Sequence, residues 1–385
     1  MRPALSRRWQ LVRTALLSGL ALSAALWVAA RAVPPRESAG QPLPTLADFW
    51  AGRASWVLEI PDTGLPVGES DTIYRGGGEY WSYLHASTQS AGVLDSCGDR
   101  VEFPGCVTRW VSTDGGRTFA LAEPTCLIKC NVCPCDGDDG TWQQQYPRVA
   151  AASGGGYYMA FEHGAQTWIT FSFDGIRWRR PHAVPYTGVW MAEHYPCPDY
   201  MRIGPHPFVS TGYECMAGAP PGIFIEGVHT YLFLGMGQNP GHLGCYRAST
   251  GSLRFQNCST NPLLSAVAEY GPPGALGASA NPYFNFRYIT SADLIAQDGY
   301  YYMAYEGIRG PSGLLAGRDD QFALGFARAT SLEGPWVEYP GNPVLDNVTD
   351  NWGIGHADLL VVDGQVIMYT ATPALARGRY VLRFN

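Results

Sequence analysis

Carboxyl groups able to exchange protons stand at recurring positions along this 385-residue chain. Asp71, Asp293 and Asp358 lie at or near the starts of strand-like runs, and Glu162 and Glu306 lie near the ends of others. Arg148 opens a further run, and His356 stands two residues before Asp358. Residues two apart on a strand share a face, so His356 and Asp358 should look the same way. Two carboxyl groups held together, one protonated and one charged, can act as general acid and as base or nucleophile. A guanidinium beside a carboxylate lowers its pKa and keeps it charged. Asp71, next to Arg148, is therefore expected to be the ionised member. Asp293, if more enclosed, would keep a proton. His356, backed by Asp358, could hold a water or a single cation. The bland explanation of each acid is a hydrogen bond at a turn or strand end.

Such residues converge only if the strands that carry them converge. The segment 291–346 shows how. A run from Asp293 meets Asp298-Gly299 and is followed by Tyr300-Tyr-Tyr-Met-Ala-Tyr305, a strong hairpin signal. A third strand over 323–329, a Glu333-Gly334-Pro335 turn and a short strand at 336–339 complete one four-stranded antiparallel sheet. The inner hairpin recurs at 71–87, 147–164, 222–237 and 357–371. Trp81, Tyr158, Tyr231, Tyr302 and Met368, read as equivalent points, are 77, 73, 71 and 66 residues apart. A lone sheet of this kind cannot bury both faces, so copies must stack around an axis. The expectation is an all-β, five-bladed β-propeller. The last blade lacks an obvious fourth strand, which 55–60 could supply, removing a pair of open edges. In a propeller the inner-strand starts meet at the axis. That places Glu69 and Asp71, Arg148, Asp293, and His356 with Asp358 in one funnel. Glu306 and Glu162, at second-strand ends, are less favourably placed.

The N-terminus reads as a targeting segment over 1–32. Arg2, Arg7, Arg8 and Arg13 precede an apolar run from Ala15 to Ala30, and Ala30-Arg31-Ala32 fits a small-x-small cleavage site. Ser6-Arg7-Arg8-Trp9-Gln10-Leu11-Val12 partly matches a twin-arginine signal, so a secreted or cell-envelope location is expected, with no stable membrane span after cleavage. Removing 1–32 takes the net charge from -7 to -12, a poor balance for nucleic-acid binding. Residues 33–50, proline-rich at first, are expected as a linker to one propeller domain over 51–385, acting as a monomer. The ten cysteines all follow the signal and suit disulfides. Cys245 and Cys258 flank an outer hairpin, Cys97 and Cys106 flank a loop, and Cys197 and Cys215 share an insertion. Cys126, Cys130, Cys133 and Cys135 crowd one loop, where two bridges are expected in place of a metal.

Ser112-Thr-Asp-Gly-Gly-Arg-Thr-Phe119 is similar to the Asp-box of sialidase-type propellers, a structural turn that says little about catalysis. A wider resemblance is to the five-bladed glycoside hydrolases of the arabinanase, β-xylosidase and invertase-like clan. Ser70-Asp71-Thr72-Ile73 with Tyr80-Trp81 resembles that clan's first-blade Asp-Pro motif. Ala329-Thr-Ser-Leu-Glu-Gly-Pro-Trp336 with Asn342-Pro-Val-Leu345 resembles a blade ending, and Gly353-Ile-Gly-His-Ala357 resembles its last-blade Gly-x-Gly-His. The resemblance implies a base or nucleophile at Asp71, a cation- or water-holding His356, and otherwise no cofactor. There are departures. Thr72 replaces the motif proline, Arg148 stands where a second-blade aspartate is expected, and the third blade offers no carboxylate near Ala219-Pro220.

The resulting expectation is an exported carbohydrate-active propeller, a glycoside hydrolase with Asp71, Asp293 and Glu306 as catalytic candidates. Arg148, His356, Asp358 and Trp190 would contact a carbohydrate substrate, Trp190 from a long aromatic insertion whose rings could stack on sugars. The alternative is a propeller that binds a glycan or another surface ligand without catalysis.

Overall fold

A computed structural model describes residues 42–66, 68–135, 140–141, 143–164, 166–184, 217–236, 242–266, 284–285, 288–308, 322–346, 355–372 and 376–385. The expected signal segment, Trp190, Cys197 and Cys215 lie outside these. The strands in chain order are β1 (Ala54–Ile60), β2 (Ser70–Gly76), β3 (Glu79–Ala86), β4 (Cys106–Ser112), β5 (Ala120–Leu121), β6 (Gln145–Ala151), β7 (Tyr157–His163), β8 (Gln166–Ser172) and β9 (His182–Ala183). They continue as β10 (Ala217–Glu226), β11 (His229–Met236), β12 (His242–Ser249), β13 (Gln256–Asn257), β14 (Tyr288–Gln297), β15 (Tyr300–Ile308), β16 (Phe322–Ala329), β17 (Val337–Glu338), β18 (Leu345–Asp346), β19 (Asp358–Val362), β20 (Gln365–Ala371) and β21 (Arg377–Phe384).

They form five antiparallel sheets, and the protein is a five-bladed β-propeller. Blades I to IV run β2-β3-β4-β5, β6-β7-β8-β9, β10-β11-β12-β13 and β14-β15-β16-β17, with β18 also paired to β16. Blade V runs β19-β20-β21-β1, its outermost strand taken from the chain's beginning, with Ala54 opposite Phe384 and Trp56 opposite Leu382. The ring thus closes through main-chain hydrogen bonds, as the unpaired 55–60 run suggested. At the inner hairpins of blades IV and V, Asp298-Gly299 and Asp363-Gly364 have positive φ at both central positions, the conformation for which Asp-Gly is selected.

Five apolar clusters fill the five seams between neighbouring blades. Trp81 and Tyr83 meet Val149 and Phe161; Ile169 meets Ile223 and Leu232; Phe233 meets Leu294 and Met303. Tyr302 and Phe326 meet Met368 and Leu382, and Ile367 and Tyr369 meet Tyr80 and Leu84. This distribution corrects the repeat alignment. Met368 faces back toward blade IV, whereas Trp81, Tyr231 and Tyr302 face the following blade, so the equivalent point in blade V is Ile367. A one-residue slip along a strand exchanges its two faces, and aromatic spacing alone could not exclude it.

Polar staples repeat across seams. Ser112 Oγ accepts the Gly116 N–H, Asp114 accepts those of Arg117 and Thr118, and the turn they shape presents Gly116 O to Tyr369 Oη at 2.7 Å. In blade II, Ser172 and Asp174 shape the matching turn, and Gly175 O accepts from Tyr83 Oη at 2.9 Å.

Two sequence expectations change. The stretch assigned to the end of the linker contains a short helix, Leu46–Trp50, capped by reciprocal Thr45–Asp48 hydrogen bonds. Its Leu46 and Phe49 are buried in the seam between blades IV and V, worth roughly 1.5–3 kcal/mol each. The compact unit accordingly begins at Pro44. The cysteine-rich loop does not close on itself with two bridges. Cys130 pairs with Cys135, but Cys126 reaches Cys106 and Cys133 reaches Cys97, tying the loop to blade I; Cys245 pairs with Cys258.

Candidate functional site

The inner strands of four blades deliver matching residues to the axis. Asp71 lies opposite Tyr83, Arg148 opposite Ala160, Asp293 opposite Ala304 and Asp358 opposite Tyr369. In blade III the same register position, opposite Phe233, is Gly222. A Cβ there would sit 2.5 Å from Ala292 O, so the neighbouring backbone leaves no room for any side chain. The missing third-blade acid has this steric cause.

A second ring lies two residues earlier in each of the four strands: Glu69, Tyr146, Ser291 and His356. Tyr146, Ser291 and His356 all have φ between 53° and 56°, a conformation that costs a non-glycine residue energy. The pairing register shifts between Gln145 and Arg148 and between Thr290 and Asp293. Bulges of this kind re-aim side chains at strand ends, here toward the axis.

The inner ring is a carboxyl trio around one guanidinium. Oxygens of Asp71, Asp293 and Asp358 lie within 4.8 Å of one another. Arg148 Nη1 is 3.9 Å from Asp71 Oδ1, and Arg148 also donates to Ser70 O at 3.3 Å and Ser291 Oγ at 3.2 Å. Asp71 accepts the N–H of Val149 and Asp293 that of Leu359, so each also stitches its blade to the next. Burial, followed by the charges of Asp293 and Asp358, pushes Asp71 well above the usual carboxylate range. Asp358, wholly buried, is pushed up to about 7 by burial and by Asp293. Burial raises Asp293 too, and Arg148 and the N–H groups of Leu359 and Leu294 pull it back only part of the way, leaving it above its ordinary value. Arg148 was expected to hold Asp71 ionised. It is shared among carboxylates and too far from Asp71 to offset its burial.

The outer ring brings two glutamates to one imidazole. Glu69 Oε1 and Glu306 Oε1 lie 2.5 and 3.0 Å from His356 Nδ1, with Ser291 Oγ at 3.0 Å. Neither carboxyl makes a well-aligned hydrogen bond. Burial lifts Glu306 to about 8, and burial with the charge of Glu306 lifts Glu69 well above its ordinary value. His356 is pushed well below its ordinary value by burial and by the cations Arg148 and Arg377. Its side chain is 23% exposed, which makes it the open end of the cluster. Tyr146 stacks 5.7 Å from its ring and Phe322 lies 5.9 Å away. Glu162, buried at the equivalent second-strand end of blade II, is lifted to about 8 by burial.

Asp71, Arg148, Asp293, Glu306, His356 and Asp358 therefore all reach the axis. Glu306 is more central than its strand-end position suggested. Sequence reasoning placed Glu69 in the funnel without assigning it a chemical role, and it did not single out Tyr146, Ser291 or Arg377. For Tyr146 and Ser291 the signal was partial: each stands two residues before an axial residue, but a bulge interrupts the alternation at both places and sets where the side chain goes. Arg377 carried no signal: it opens the ordinary strand β21. It is nevertheless fully buried and donates to Gly68 O, His356 O and Tyr369 O at 2.6, 2.9 and 3.2 Å.

No protein-family model matches the chain, and no curated protein matches it. Its fold is similar to solved structures. The catalytic domain of the GH62 alpha-L-arabinofuranosidase from Coprinopsis cinerea matches 86% of this chain and 96% of its own, at 13% identity and a TM-score of 0.50. An exo-1,5-alpha-L-arabinanase from a bovine ruminal metagenomic library matches 85% and 95% at 13% identity and TM-score 0.49. The xylan beta-1,4-xylosidase of Bacillus halodurans C-125 matches 85% and 54% at 14% identity and TM-score 0.48. The likeness to the first shows a shared five-bladed propeller fold.

Proposed function

We propose that this protein is an exported carbohydrate-active propeller that hydrolyses glycosidic bonds with the carboxyl groups of its axial funnel. The observation that carries the proposal is one funnel holding carboxyl groups in different protonation environments. That is the requirement for glycoside hydrolysis, in which one group donates a proton and another stays charged. Glu306, kept protonated by burial, is the general acid. Asp293, nearest to Arg148 in its electrostatics and bonded to a backbone N–H, is the ionised partner. Asp71 keeps its proton and braces Asp293. These assignments exchange the roles that spacing alone suggested for Asp71 and Asp293.

Around them, Tyr146 and Phe322 offer ring faces on which the apolar face of a sugar can stack. Ser291 and neutral His356 would orient sugar hydroxyls. Glu69, Glu306 and His356 also fit a single cation by donor type, since two carboxyl groups without aligned partners face a neutral imidazole nitrogen. A cation there would supply charge to hold a sugar hydroxyl, and would have to take the place of the proton on Glu306. Export is supported by the four disulfides among the described residues and by the arginine-flanked apolar N-terminus. Among those residues no helix is long and apolar enough to cross a membrane.

One observation favours the alternative, a glycan-binding propeller without catalysis. Blade III contributes only Gly222 to the axial ring, and Asp71 and Asp293 already serve as stitches between blades. A screen of aryl glycosides and of plant and microbial polysaccharides separates the two. Turnover by the wild type that is lost in Glu306→Gln supports hydrolysis. Specific glycan binding without turnover on any substrate supports the alternative.

A further inference from the structure

A second site lies at the opposite ends of blades II and III. The axial funnel sits where inner strands begin and second strands end. Tyr158, at the start of β7, Thr230, at the start of β11, and Phe171, at the end of β8, belong to the other end of those blades. There they line a cavity of about 370 Å³ with Phe173, Arg179, Arg180 and His182. Three properties distinguish this cavity from an ordinary solvated surface.

The first is its charge. The chain has 33 acidic against 26 basic residues, yet the described lining of the cavity includes two arginines and a histidine and no carboxylate. The second is the preorganisation of Arg179. Its guanidinium lies 5.2 Å from the centroid of Phe171 and 5.0 Å from that of Phe173, and no carboxylate within the described residues lies at ion-pair distance. A guanidinium held by two rings loses little freedom on meeting a carboxylate, for which its fork is matched. The third is Phe173, which stands 72% exposed beside that cation. An aromatic face, the Arg179 fork and the Ser252 hydroxyl, with the oxygens of Thr170 and Thr230 left as acceptors because their protons go to Arg179 O and Thr250 Oγ1, suit a ring that carries an anion and several hydroxyl groups.

We propose that this cavity is an accessory binding site for acidic sugars, in which Arg179 receives a uronate carboxylate and Phe173 stacks on the ring that bears it. The proposal rests on the carbohydrate-active reading but not on catalysis, because a chain silent at the axis would still bind here. An exported protein holding an acidic polymer at one end of its blades keeps the funnel at the other end close to neighbouring chains.

The test is affinity electrophoresis and titration calorimetry of the full chain with polygalacturonate, with uncharged dextran as control. Wild type, Phe173→Ala, Arg179→Gln and the axial variant Glu306→Gln are compared. Phe173 is exposed, so its loss leaves the fold intact, which thermal unfolding checks. The expected result is binding to polygalacturonate that weakens with salt, absence of dextran binding, and about tenfold weaker binding in Phe173→Ala and in Arg179→Gln. Glu306→Gln should bind as the wild type does while losing any turnover. Equal affinity in all four proteins, or loss in Glu306→Gln alone, would overturn the proposal. So would competition by inorganic sulfate as effective as that by galacturonate, which would indicate a simple anion patch. Failure at the axis shows as lost turnover with this binding retained, so the two readings fail separately.

Discussion

Glu162 offers a clean test of the electrostatics, because burial alone lifts it to about 8 from an ordinary value of 4.5. The fold binds its proton more tightly than the unfolded chain does. Such a carboxyl contributes stability that is complete below the unfolded pKa and is lost as pH rises toward the folded pKa. Between pH 5 and 8 the unfolded chain ionises Glu162 freely while the native protein releases only half a proton. Integrated over that range at about 1.36 kcal/mol per unit, the group costs the fold about 3.5 kcal/mol. Glu162→Gln has the shape of the protonated acid and cannot ionise. It should match the wild type within about 1 kcal/mol at pH 5 and exceed it by about 3.5 kcal/mol at pH 8. Urea unfolding at pH 5, 6, 7 and 8, with disulfides intact, reads the difference directly. Asp358 and Glu306, lifted to about 7 and about 8, act in the same direction in both proteins and cancel in the comparison. Stability curves for the two proteins that stay parallel from pH 5 to 8 would refute the reasoning, because they would mean that Glu162 titrates alike in both states.

Three further outcomes are expected. Gly355→Ala places a Cβ 1.7 Å from Glu306 Oε1, so the acid must move while its chemistry is unchanged; turnover should fall at least tenfold with little change in the thermal midpoint. Replacing Cys106 and Cys126 together by alanine opens a bridge with a sequence separation of 20 and should cost about 3 kcal/mol in urea unfolding. Treatment with a chelator should leave turnover unchanged or raise it, since a cation between Glu69 and Glu306 would compete with the proton on the general acid; a chelator-induced loss restored by a divalent cation would reverse that assignment.

Much of the fold was legible because propeller blades repeat local signals. Asp298-Gly299 announced a hairpin, the aromatic runs repeated at near-constant spacing, and the unpaired 55–60 run had one open edge left to fill. The axial residues followed from the same logic, since inner strands must begin at the axis. Three things escaped for physical reasons. Met368 was taken for Ile367 because an apolar strand buried on both faces has no alternation to fix its register. The partners of Cys126 and Cys133 were hidden because proximity in sequence says nothing of which loop folds over which strand. The directions in which burial moves Asp71 and Asp293, and the way one Arg148 is divided among several carboxyl groups, are not written in residue spacing. Arg377 is the extreme case: one of three arginines in its strand, it alone is buried completely and pinned to three carbonyl groups.

Turnover of one aryl glycoside or polysaccharide by four proteins tests the proposed chemistry most directly. The wild type is compared with Glu306→Gln, Asp293→Asn and Asp71→Asn on whichever substrate the screen identifies. Losing the general acid or its ionised partner should lower kcat by about 100- to 10,000-fold. Asp71, already carrying a proton, should tolerate conversion to asparagine with less than about tenfold loss. A loss in Asp71→Asn as large as in Asp293→Asn, or full activity in Glu306→Gln, would contradict the assignment of protons on which the proposed mechanism stands.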